Sequence, residues 1–152
     1  MSETRFGYAA LLGRPNVGKS TLLNALVGEH LAIVTHKPQT TRHRLLGVIT
    51  EPRGQIALVD TPGLHQRHPH GLNKRLNRTA VGTLGEVDAV VMVVDAADWT
   101  AEDDRVADRV SRFDGPRLLV LNKIDLLTDR SELLAMTGKL SERLAPRAVL
   151  YT

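Results

Sequence analysis

The chain has 152 residues, no cysteine and 42% hydrophobic residues, with 20 Lys/Arg against 17 Asp/Glu for a formal net charge of +3. These values predict one globular α/β domain and exclude wholesale disorder, disulfide scaffolds and thiolate metal sites; a chain without cysteine suits a reducing compartment. The longest apolar run, Ala89–Val94, is too short to span a bilayer, and Met1–Gly7 lacks the basic-then-apolar pattern of a secretory signal.

The charge is unevenly spread. Residues 1–85 hold 11 Lys/Arg against 4 Asp/Glu, whereas residues 86–152 hold 9 against 13. The first part is suited to an anionic partner and the second is not.

In chain order, Phe6–Leu12 reads as a short strand ended by Gly13. Lys19–Val27 carries Leu22, Leu23 and Leu26 at helical spacing, with Gly28 as a stop. Residues 29–41 read as a loop. Arg44–Thr50 and Gln55–Val59 read as strands joined by Glu51-Pro52-Arg53-Gly54, a tight-turn sequence that predicts antiparallel pairing. After a second irregular stretch, Leu72, Leu76, Ala80 and Leu84 predict a helix. Asp88–Asp95 is a buried strand by its apolar run. Ala101–Phe113 reads as a helix capped by Thr100, with Asp103 three residues on. Leu118–Leu121 is another buried strand. Ser131–Leu144 reads as a helix with Leu133, Leu134, Met136, Leu140 and Leu144 toward the core, and Ala148–Tyr151 as a last strand. This alternation predicts a mostly parallel six-stranded sheet with one antiparallel strand and helices on both faces.

Gly13-Arg14-Pro15-Asn16-Val17-Gly18-Lys19-Ser20 fits the phosphate-loop pattern G-x-x-x-x-G-K-[ST], placed between a strand and a helix where its mechanism requires it. The two glycines let backbone N–H groups point inward around phosphate oxygens. The helix that follows aims its positive N-terminus at the same place. Lys19 brings a point charge to the outer phosphates, and Ser20 offers a hydroxyl to Mg²⁺. The expected nucleotide contacts here are Gly13, Asn16, Val17, Gly18, Lys19, Ser20 and Thr21.

Asp60-Thr61-Pro62-Gly63 closes the next strand. Asp60 stands where ligands bind in parallel sheets and is expected to hold Mg²⁺ through water. The Gly63 N–H is free of side-chain obstruction toward a γ-phosphate. Thr40 and Thr41 each offer a loop hydroxyl that could close over that phosphate, and spacing alone does not choose between them. Asn122-Lys123-Ile124-Asp125 follows a strand and addresses the base. Guanine presents two adjacent donors that the Asp125 carboxylate can accept, and adenine does not. Asn122 and Lys123 are expected to brace the loops.

His65, His68 and His70 match no helix face and are interrupted by Pro69, so a solvated loop is expected rather than a metal site. Arg67, Lys74, Arg75 and Arg78 lie in a stretch without acidic residues. Contact with RNA phosphates and compensation of nucleotide charge are both open readings of them. Trp99 is expected to be a packing residue.

GRPNVGKSTLLNAL at 13–26, PQTTRHR at 38–44, VDTPGLH at 59–65 and NKID at 122–125 resemble the Era-like family of translation-factor-related P-loop GTPases. The resemblance covers the chain from Phe6 onward, and Gln39 separates it from related tRNA-modification and tandem-domain ribosome-assembly GTPases, which usually have glycine there. It implies a Mg²⁺-dependent GTPase that binds GTP and GDP, with Lys19, Thr41 and Gly63 as catalytic groups. Ser20, Thr41 and Asp60 would surround Mg²⁺, and Asn16 would bind K⁺. Leu64 replaces a water-orienting glutamine, which implies slow intrinsic hydrolysis. The family further implies a cytoplasmic protein acting on small-subunit rRNA in ribosome assembly, with peripheral contact at the inner membrane. The same comparison implies that residues 1–152 stop just before a Ser-Ala guanine loop and a C-terminal RNA-binding KH domain. The alternatives are a nucleotide-dependent scaffold on RNA or the ribosome with negligible turnover, and the G domain of a related tRNA-modification or tandem-domain ribosome-assembly GTPase.

Overall fold

A computed structural model describes residues 5–28, 44–60 and 84–152, with Arg44 described by its backbone alone. The predicted helix ending at Leu84 lies outside the described residues apart from Leu84 itself, which is buried.

Six strands form one sheet in the order β2-β3-β1-β4-β5-β6. They are β1 (Arg5–Leu12), β2 (Arg44–Glu51), β3 (Gly54–Asp60), β4 (Ala89–Asp95), β5 (Arg117–Asn122) and β6 (Ala148–Tyr151). Among the described residues only β2 and β3 pair antiparallel, through the Pro52-Arg53 turn. The pairs β1–β3, β1–β4, β4–β5 and β5–β6 are parallel. Beginning with β1, the chain builds outward in both directions, so the C-terminal ends of β1, β3, β4 and β5 share one edge. A ligand crevice in an open parallel sheet lies at such an edge.

Among the described residues the α-helices are α1 (Lys19–Val27), α2 (Ala101–Ser111) and α3 (Arg130–Leu144). One sheet face buries Ala10, Leu12, Met92, Val94, Leu119 and Leu121 against Val106 and Val110 of α2 and Leu140 and Leu144 of α3. The other buries Leu11, Val93 and Val120 with Val17, packed by Leu22 and Leu23 of α1. The expected arrangement of helices on both faces is thus present.

The α2 start carries the capping box expected from Thr100 and Asp103. The α3 start is capped by the Asp129 carboxylate, which accepts from Ser131 N at 2.8 Å. One core expectation is corrected. Leu134 is 71% exposed, because it sits 100° around the helix from Leu133, while Leu133, Met136, Leu140 and Leu144 follow the inward stripe. Trp99 packs against the main core, as expected.

Candidate functional site

The phosphate loop leaves β1 at Gly13 and enters α1 at Lys19. A Cβ on Gly13 would lie 2.5 Å from the Val93 carbonyl, so the close approach of the loop to β4 requires glycine. Gly18 has φ +98°, and a Cβ there would stand 2.1 Å from Asn122 Nδ2. The same missing side chain gives the turn its left-handed backbone and gives Asn122 its space. Val17 is fully buried and anchors the loop from beneath.

Gly18 is also the N-cap of α1, where no side chain caps the helix and no acid stands in its first turn. The leading N–H groups of α1 are therefore directed to an incoming anion rather than to a capping oxygen. Lys19 Nζ donates to the Gly13 carbonyl, folding back over the loop. Burial pushes the Lys19 pKa down, opposed by the field of Asp60. Asp60 ends β3, which runs parallel beside β1, the strand that leads into the loop. Ser20 and Thr21 are exposed at the start of α1.

On the far side, Asn122 Nδ2 donates to the Val17 carbonyl at 2.9 Å. Lys123 Nζ donates to the Asn16 carbonyl at 2.7 Å and to Asp95 Oδ2 at 2.8 Å. Asn16 and Lys123 both have left-handed backbones, with φ 66° and 63°. Non-glycine residues in that region are uncommon and collect where a local geometry is enforced by its surroundings. Asp125 is exposed on the short 3-10 turn Ile124–Leu126. The Ile124 N–H meets the Thr152 carbonyl at 3.2 Å, so the end of β6 adjoins that turn.

Burial pushes the Asp95 carboxyl up, but hydrogen bonds from Lys123 and Ala97 N–H, with the charges of Lys123 and Arg14, outweigh it and leave its pKa below the usual aspartate range. Asp95 is a site residue that the sequence reading lacks, and its signal is that it closes an apolar strand just as Asp60 does. Arg14, Asp98 and the link from Asp103 to the loop had no sequence signal at all. Thr40, Thr41, Gly63, Leu64 and the histidines at 65, 68 and 70 lie outside the described residues. Among the described residues, no three His, Asp or Glu side chains cluster as a metal site.

A phosphate loop, a strand-end acid and a guanine-type motif thus meet at one sheet edge. The family model described as 50S ribosome-binding GTPase matches residues 8–123. The chain belongs to this GTPase family. Its Era-like resemblance also holds. It is 51% identical over 145 residues to GTPase Era of Xanthomonas campestris pv. campestris, covering 93% of this chain and 49% of that protein. It is 50% identical over 143 residues to GTPase Era of Pseudomonas fluorescens, covering 94% and 48%. A crystal structure of Era in complex with MgGDPNP and nucleotides 1506–1542 of 16S ribosomal RNA superposes with TM-score 0.69 at 31% identity, covering 98% of this chain and 51% of that one. The chain therefore spans about half the length of these GTPase relatives. Among its described residues no helix is long and apolar enough to cross a membrane.

Proposed function

We propose that this chain is a GTP-binding, GTP-hydrolysing switch that works, within a longer protein, in small ribosomal subunit assembly. The observation that carries the reading is the pair of bonds from Asn122 and Lys123 to the carbonyls of Val17 and Asn16. They fasten a guanine-selective turn to a phosphate loop, so base and phosphates are read by one framework.

In the proposed reaction, water attacks the γ-phosphorus in line, the bond to the β–γ bridging oxygen breaks, and GDP and inorganic phosphate form without a covalent intermediate. Lys19 leaves the Gly13 carbonyl for the outer phosphate oxygens, and the N–H groups of residues 16–20 stabilise the charge that moves onto them. A bound phosphate raises the Lys19 pKa, which burial alone holds down. The Ser20 hydroxyl and Asp60 carboxylate are hard oxygen donors of the kind Mg²⁺ accepts, and they flank the crevice that holds Lys19. Bound there, the ion would neutralise charge on the triphosphate. Thr41 and Gly63 belong to this reading as γ-phosphate sensors. Asp125 accepts from guanine N1–H and the N2 amino group.

K⁺ bound through Asn16 is the proposed accelerator, since Leu64 cannot orient water. Ribosomal RNA is the proposed partner, a reading that the Era crystal structure with 16S rRNA supports; the contact is proposed to run mainly through a KH-type domain beyond residues 1–152. A cytoplasmic site with peripheral inner-membrane contact completes the reading. Single-turnover GTP hydrolysis with Mg²⁺ in K⁺ and in Na⁺ tests it. Faster hydrolysis in K⁺ is expected. A rate at the uncatalysed background in both salts would replace the enzyme with a nucleotide-dependent scaffold.

A further inference from the structure

Arg14 stands inside the phosphate loop but turns away from the phosphate crevice toward α2. Its Nε donates to Asp103 Oδ2 at 2.8 Å, and its Nη2 donates to Asp98 Oδ2 at 2.9 Å and to the Asp98 carbonyl at 2.7 Å. The Arg14 side chain is 13% exposed and that of Asp103 is 0% exposed. Asp103 Oδ2 also accepts from Thr100 N at 2.8 Å and Thr100 Oγ1 at 3.1 Å. One buried oxygen thereby caps α2 and holds the loop, and the forked guanidinium reaches both acids at once.

We propose that Arg14 and Asp103 are positioning residues for phosphate binding, a clamp that fixes the outer strand of the phosphate loop to the start of α2. Asn122 and Lys123 hold Val17 and Asn16 from the base side. Those ties leave the stretch after Gly13 to be fixed from elsewhere, and Arg14 supplies that third point. Backbone N–H groups bind phosphate well only when their directions are set beforehand. The clamp holds the phosphate loop and not the turn that carries Asp125, so the effect falls on the phosphates rather than on the base.

The inference rests on guanine-nucleotide binding at this site, and the test separates the two. GDP and guanosine affinities are measured by calorimetry for wild type, Arg14→Ala, Arg14→Lys, Asp103→Asn and the Arg14→Ala/Asp103→Asn double variant. Arg14→Ala is expected to weaken GDP about tenfold and leave guanosine unchanged, with the double variant no weaker than Arg14→Ala, as for partners in one contact. Arg14→Lys should fall between, because an ammonium cannot bridge both acids. Asp98→Ala, at an exposed partner that caps nothing, guards against loss of the α2 cap and should weaken GDP in the same direction. GDP affinity equal to wild type in Arg14→Ala, an equal loss for GDP and guanosine, or multiplying losses in the double variant would each overturn the clamp. A wild-type chain that binds no GDP would overturn the clamp and the nucleotide reading together.

Discussion

Lys123 and Asn16 are 107 residues apart, both have left-handed backbones, and the ammonium of one sits 2.7 Å from the carbonyl of the other. The same ammonium pairs with the buried Asp95 at 2.8 Å. Lys123→Met keeps the stem and deletes the charge. It should weaken GDP binding by about tenfold or more and cost about 1–3 kcal/mol of stability, because Asp95 is left buried without its partner. Urea unfolding checks the second figure. Asp95→Asn in the same background should restore part of it, since the orphaned charge is then gone.

Asp95 also sets a pH response. Its folded-state pKa is lowered, so the stability it contributes is fully present above the usual aspartate value and is lost as pH falls through the folded value. Wild-type stability should therefore drop more steeply than that of Asp95→Asn below about pH 4. Thermal unfolding across that range checks it, and parallel curves for the two proteins would remove Asp95 from the acid response.

Gly18→Ala places a methyl group against Asn122 Nδ2 at a φ of +98°. Backbone strain alone should cost about 1–3 kcal/mol, and GDP affinity should fall as the Val17 tie is pushed apart. Asn122→Ala in the same background relieves the collision but not the strain. The double variant should accordingly lose less than the sum of the single losses in chemical denaturation.

Much of this architecture is written locally. The strands show as apolar runs, the β2–β3 turn as Pro52 and Gly54, the α2 cap as Thr100 with Asp103, and the phosphate loop as a fixed spacing of glycines and lysine. Each depends on neighbours within a few residues. Leu133 and Leu134 are equally periodic in sequence, and only the packed sheet decides that Leu133 turns inward and Leu134 does not. The ties from Lys123 to Asp95 and from Arg14 to Asp103 span 28 and 89 residues. A surface carboxylate and a buried ion pair look alike in sequence, and only strand order brings the partners together.

Asp125→Asn replaces two carboxylate acceptors with one acceptor and one donor. Guanine then meets a donor where it presents its own amino group, so GDP affinity should fall by about 1–3 kcal/mol or more. Xanthosine diphosphate carries a carbonyl at that position and should bind the variant better than GDP does. Competition against a fluorescent nucleotide reads both.

Guanine selectivity at a site built by Asn122, Lys123 and Asp125 around the phosphate loop is tested most directly by competition with Mg²⁺ present. Unlabelled GTP, GDP and ATP are titrated against fluorescent GDP bound to this chain. GTP and GDP should displace the probe, while ATP at the same concentrations should leave it bound. Displacement by ATP as effective as that by GTP would contradict the assignment of Asp125 to the base.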